Sequence, residues 1–168
     1  VLVGYAADTD LLSNPEVRDG VYGDVYINNI VISNSKVYSG DKNDQASGKS
    51  AAAVLAYAEC VNLDISDIKV DNVEIMTYYY TSSPVYFVSK VENPGGYSAG
   101  IGGVVGLIQE FYRGYGYTSG LLTEAMTVSI RDVDISSVSL SGIDAIGTKT
   151  YAPANAGGVV GCFFTQYT

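Results

Sequence analysis

Three stretches of the chain repeat one arrangement of apolar and polar positions. They run from Val25 to Val37, from Leu63 to Ile75 and from Val128 to Leu140. Numbered from its first residue, each stretch is apolar at positions 1, 3, 6, 8 and 13. These are Val25, Ile27, Ile30, Ile32 and Val37 in the first, and Leu63, Ile65, Ile68, Val70 and Ile75 in the second. In the third they are Val128, Ile130, Val133, Ile135 and Leu140. Position 5 is Asn29, Asp67 or Asp132, and position 10 is Asn34, Asn72 or Ser137. Positions 1 and 3 alternate as side chains on one face of a strand do, and so do 6 and 8. Two residues separate positions 3 and 6, so the strand must bend or bulge there to keep one face inward. Asn or Asp at position 5 suits such a corner, because its side chain bonds nearby backbone and it tolerates the left-handed conformation. Repeated β-branched residues and the lack of a sustained i, i+3, i+4 stripe argue against helix.

A second, shorter element follows each of these stretches. It comprises residues 51–57, 101–107 and 156–162, reading AAAVLAY, IGGVVGL and AGGVVGC. Small residues at its first three positions and at its sixth imply close approach of backbone, and its centre reads as a short buried strand. Leu2 to Ala6 matches Val54 to Ala58, so the chain is expected to start in the tail of one unit and end just after another. The expected units are approximately 1–24 (partial), 25–59, 60–107 and 126–168, with 108–125 as a connector, all in a single β-repeat domain. The chain opens without Met, a basic region or a cleavage site, so it is expected to be a segment of a longer protein. Taken together the pattern predicts an all-β fold, a parallel β-solenoid with loop insertions, in which each repeat buries its apolar face against its neighbours. A β-sandwich accommodates the number of strands but leaves the glycine elements unexplained.

The Gly-Gly-Val-Val-Gly runs at 102–106 and 157–161 resemble the GLUG-type motif, usually Gly-Gly-hydrophobic-Val-Gly, of bacterial surface adhesin-like proteins. Residues 52–56 depart from it, with Ala in place of all three Gly, and the spacing between copies is longer than the dense tandem spacing typical of that family. The resemblance implies a repetitive, β-rich protein that is extracellular or on the bacterial cell surface. It carries over no catalytic residue.

Composition narrows the function classes. Asp and Glu number 18 against 9 Lys and Arg, a net charge of -9, which argues against nucleic acid or an anionic membrane as partner. No apolar run is long enough to span a bilayer within this segment. The chain has no His, which removes the usual neutral-pH base and a common zinc ligand. No phosphate-binding or dinucleotide-binding glycine motif is present. Cys60 and Cys162 leave one disulfide open, but packing as small apolar side chains is the simpler state. No cofactor, metal or catalytic residue is therefore assigned, and the chain is read as a non-enzyme.

The first stretches start 38 and 65 residues apart, the second elements 50 and 55, so the irregular length sits in insertions. These are expected at 38–50, 77–99, 108–125 and 142–155. Two are rich in tyrosine: Tyr78, Tyr79 and Tyr80 in one, and Tyr112, Tyr115 and Tyr117 in the other. Tyrosine offers a flat apolar body with a hydroxyl, which suits sugar or protein recognition, and these six are the candidate ligand-binding residues. The same side chains would also serve to cover the apolar flanks of the solenoid. Asp41, Asn43 and Asp44 lack the spacing of a calcium loop. Asp64 and Asp134 fall at outward positions and Asp67 and Asp132 at the corner, an arrangement closer to backbone capping than to a paired-carboxylate sugar hydrolase. The expected function is a surface-exposed structural or adhesive module binding host, matrix or glycan ligands, with neighbouring repeats as its other partners. The alternatives are a β-helix carbohydrate-active enzyme, such as a polysaccharide lyase or glycosidase, and a filament or shell subunit.

Overall fold

The computed structural model describes residues 2–7, 22–39, 50–79, 100–109, 126–144, 150–151 and 156–164, with the side chains of 39, 77–79, 142–144, 150–151 and 164 left aside. Eleven strands are present among them: β1 (Val3–Ala7), β2 (Gly23–Ser39), β3 (Ala51–Ala52), β4 (Leu55–Glu59), β5 (Val61–Tyr79), β6 (Ile101–Gly102), β7 (Val105–Gln109), β8 (Val128–Asp144), β9 (Thr150–Tyr151), β10 (Ala156–Gly157) and β11 (Val160–Phe164). They form three sheets, ordered β2-β5-β8-β9, β1-β4-β7-β11 and β3-β6-β10, hereafter the long sheet, sheet A and the bend sheet. Every pairing is parallel except the two-residue β8–β9 contact.

The chain is a parallel β-solenoid. Each turn of the coil runs along a long strand, through an insertion to a two-residue strand of the bend sheet, around a two-residue bend, and back along sheet A. The coils stack in the register that the sequence pattern sets. Val25, Ile27, Ile30, Ile32 and Val37 lie opposite Leu63, Ile65, Ile68, Val70 and Ile75. Those in turn lie opposite Val128, Ile130, Val133, Ile135 and Leu140. The short elements stack as expected too, Ala51 on Ile101 and Leu55 on Val105, and Val3 pairs with Leu55 and Tyr5 with Tyr57.

The long strands bend twice, not once. Position 5 is left-handed in all three, with φ of 57° at Asn29 and 54° at Asp67 and Asp132. Position 10 is left-handed as well, at Asn34, Asn72 and Ser137. Each corner absorbs one residue, so positions 1 and 3, 6 and 8, and 11 and 13 all point inward. Each long strand is thus three five-residue facets, and Val73 and Val138 at position 11 join the core. Asn and Asp are enriched in this conformation, which explains their recurrence at these positions.

The strands also reach further than the sequence reading placed them. β2 continues to Ser39, β5 to Tyr79 and β8 to Asp144, because pairing with the adjacent coil persists through the third facet, and β7 runs to Gln109, which pairs with Glu59 of β4. Thr77, Tyr78 and Tyr79 therefore belong to β5 and not to an insertion. The glycine element is not one strand either. Its first Val, Val54 or Val104, sits in the bend and the strand resumes at the second. A Cβ on Gly102 would stand 1.8 Å from the Val105 carbonyl oxygen of its own coil, and one on Gly157 1.9 Å from that of Val160. The bends of the second and third coils are built without a side chain there, whereas the first coil carries Ala52 at the same register position.

The core is a continuous apolar column. Ile65, Ile68, Val70 and Ile75 of the central coil are fully buried and pack with Val54, Leu55, Val104 and Val105 from the opposite wall. Ile27 and Val37 of the first coil are buried as well, whereas Ile30, Ile32, Val133 and Ile135 of the flanking coils are only partly buried. Cys60 carries the chain from β4 to β5 as a one-residue corner with φ 53°, its amide donating to the Gln109 carbonyl at 2.9 Å.

Candidate functional site

The outward face of the long sheet is laid out in rungs that cross from coil to coil. Between β2 and β5, Lys36 pairs with Glu74 at 2.7 Å, Asn62 donates to Asp24 at 3.0 Å and Asn72 donates to Asn34 at 2.7 Å. Between β5 and β8, Arg131 pairs with Asp64, Ser136 donates to Asp71 at 2.7 Å, and Lys69 lies 3.9 Å from Asp134. The parallel register places Asp24, Asp64, Asp71, Glu74 and Asp134 beside a donor one coil away. Lys36 is held above its ordinary pKa by the hydrogen bond and charge of Glu74, and Arg131 likewise by Asp64.

Asp64 and Asp134 point outward and Asp67 and Asp132 turn corners, as the pattern implied, and Asp64, Asp71 and Glu74 are all engaged by donors from a neighbouring coil. Among the described residues, no group of three or more His, Cys, Asp or Glu is placed to hold a metal. Asp41, Asn43 and Asp44 lie outside the described residues.

Of the six candidate tyrosines, Tyr78 and Tyr79 sit at the end of β5, their backbone opposite Ile143 and Asp144. Tyr80, Tyr112, Tyr115 and Tyr117 lie outside the described residues. Other tyrosines, which the sequence reading passed over, occupy the scaffold itself. Tyr26 and Tyr38 are exposed on the outer face of β2. The Tyr26 hydroxyl donates to Asp24 at 3.3 Å, and the negative charge of Asp24 raises its pKa. On the outer face of sheet A, Tyr5 and Tyr57 stack with ring centroids 5.1 Å apart, and the Tyr5 hydroxyl donates to Glu59 at 2.6 Å. Glu59 itself is buried and lies opposite Gln109, also buried. The signal for this cluster was present as Tyr5 matching Tyr57 in the repeat alignment; what the alignment lacked was the direction in which those side chains point.

Neither Cys60 nor Cys162 is in a disulfide. Cys60 is buried beside Tyr22 and Met126. Cys162 is half-buried, and that burial pushes its thiol pKa up.

No family model, no curated protein and no solved structure matches this chain. The family likeness therefore rests on the Gly-Gly-Val-Val-Gly elements alone, while the solenoid rests on the pairing of its strands.

Proposed function

We propose that this chain is a surface-exposed binding and support module whose rigid coils present tyrosines to a glycan or a host-surface protein. The observation that carries this reading is the division of labour on the outer surface. Asp64, Asp71 and Glu74 of the long sheet are tied to donors in the neighbouring coil, whereas the rings of Tyr5, Tyr26 and Tyr38 are substantially exposed. An exposed aromatic ring on rigid backbone loses little conformational entropy when it makes contact. Tyr78, Tyr79, Tyr80, Tyr112, Tyr115 and Tyr117 are the further candidates that the sequence offers for the same chemistry. A sugar-cleaving enzyme would need two carboxylates set across a scissile bond, one of them free to give a proton. The rung-bound carboxylates of β5 are poorly suited to that. The likeness of 102–106 and 157–161 to adhesin repeats supports a location outside the cell or on a bacterial surface.

A glycan-array and mucin-binding screen tests this reading. The unaltered chain is expected to retain at least one ligand. The combined Tyr78→Ala, Tyr79→Ala and Tyr80→Ala variant is expected to lose it with an unchanged melting curve. Full binding by that variant would remove these three tyrosines from the proposal, and a chain that binds nothing on either surface would sink the adhesive role.

A further inference from the structure

On sheet A a pair of rings crosses from one coil to the next. Tyr5 of β1 and Tyr57 of β4 are register partners in parallel strands, and their rings stack with centroids 5.1 Å and planes 29° apart. Parallel pairing holds neighbouring strands about 4.8 Å apart, so the rings stay neighbours for as long as the sheet is paired. Other tyrosines of the scaffold stand differently. Tyr26 lies opposite Asp64, and Tyr38 opposite Met76. On its far side Tyr57 lies opposite Leu107, which has no ring, so Tyr5 is the aromatic neighbour that its own row offers.

The Tyr5 hydroxyl is also bonded to a proton acceptor. It donates to Oε2 of Glu59 at 2.6 Å, a length typical of a bond to an ionised oxygen. Glu59 is buried, and its other oxygen, Oε1, has no hydrogen-bond partner among the described residues. The carboxylate can therefore take a proton without displacing another donor. A phenol gives up an electron more readily when its proton leaves at the same time to a base already in hydrogen-bond reach, because no phenol cation has to form. Stacking supplies the coupling partner and Glu59 supplies the base, and the two meet at one hydroxyl.

We propose that Tyr5 and Tyr57 form a modification site, at which a peroxidase acting with hydrogen peroxide joins the two coils by a carbon–carbon bond. Tyr5 loses one electron to the oxidant and its hydroxyl proton to Glu59. Tyr57 loses one electron and its hydroxyl proton, which passes to water. The two phenoxyl radicals couple through ring carbons ortho to oxygen. The hydrogens on those carbons then move to the oxygens and restore both phenols. The two electrons and two protons released, Glu59 handing its proton on, reduce one hydrogen peroxide to two waters. The new bond closes the turn of the solenoid that runs from β1 to β4, and it limits the unfolded chain as a disulfide does. Cys60 and Cys162 make no such link. This site goes beyond the ligand-binding reading, and its test needs no ligand.

Treating the full chain with a peroxidase and limiting hydrogen peroxide tests it. Peptide mapping by mass spectrometry is expected to find the Tyr5 and Tyr57 peptides joined, two hydrogens lighter than their sum. In a mixture of isotope-labelled and unlabelled chains, each joined pair is expected to be wholly labelled or wholly unlabelled. The melting temperature of the product is expected to rise. Tyr57→Phe is expected to keep the melting curve of the unoxidised chain and to lose the joined pair. Glu59→Gln keeps the size of the side chain and removes the base. It is expected to slow formation of the pair at least about tenfold, with oxidation of the other tyrosines unchanged. Peroxide consumed at other tyrosines while Tyr5 and Tyr57 stay unjoined would overturn the proposal, and so would a joined pair of mixed label. Equal rates with and without Glu59→Gln would overturn the role of Glu59. If Glu59→Gln fails to fold, Tyr57→Phe and the mixed-label measurement still decide whether the pair is the site.

Discussion

The long sheet and the glycine-bearing side of the solenoid hold the same coils together by different means. On the long sheet the side chains set the geometry. Apolar residues at fixed positions stack into columns, Asn, Asp or Ser turns each corner, and polar rungs occupy the outside. On the bend side small residues set the geometry, glycine in the later coils and Ala52, Ala53 and Ala56 in the first. Gly102, Gly103, Gly106, Gly157 and Gly161 all lie where a Cβ would fall within 3.0 Å of backbone. The first wall should therefore yield gradually to substitution, and the second abruptly.

The sharpest test of that contrast is Gly103→Val against Gly158→Ala. At Gly103 the side chain would drive into the Gly158 carbonyl, so the loss is expected to exceed the ~1–3 kcal/mol usual for an overfilled core. At Gly158 a Cβ would meet nothing within 4 Å among the described residues, and stability should hold, as read by urea titration. Next in size is Ile68→Ala in the fully buried central coil, expected to cost about 2–5 kcal/mol. Ile135→Ala, in a half-buried end coil, should cost clearly less; equal losses would mean the end coil is covered. Tyr5→Phe removes the hydroxyl that the buried Glu59 accepts from, and about 1–3 kcal/mol is expected for leaving a buried acceptor without that partner. At a corner, Asp67→Ala should be about 1 kcal/mol less stable than Asp67→Gly, since only the former strains a φ of 54°. Smallest of all is Arg131→Ala. Its pairing with Asp64 is exposed, and the melting temperature should not move beyond error.

Most of the long sheet was legible in the chain because its geometry is written in side chains. Three copies at positions 1, 3, 6, 8 and 13 were enough to give the stacking register residue for residue. The second corner was equally visible as Asn34, Asn72 and Ser137, yet the alternation argument needed only one bend, and the missing third apolar match at Ser35 hid the five-residue period. The bend side was less legible. Small residues announced close approach, but only the coordinates separate Gly102, which meets its own coil, from Gly103, which meets the next. For the candidate site the sequence drew attention to tyrosine-rich runs, whereas Tyr5, Tyr26 and Tyr38 gained significance only from the face on which the pleat places them.

The unequal spacing between coils has a consequence for how such a chain can change. Residues stacked directly on one another are 38 apart between β2 and β5 and 65 apart between β5 and β8, yet the two registers are equally regular. The entropy of bringing two points of a flexible polymer together grows only as the logarithm of the contour between them, so the longer tether is disfavoured by about 0.5 kcal/mol relative to the shorter. A single deletion inside a facet, by contrast, reverses the direction of every side chain up to the next corner. Length can therefore drift almost freely in the tethers while the facets stay locked at five residues. The corners, not the overall period, are what selection must count.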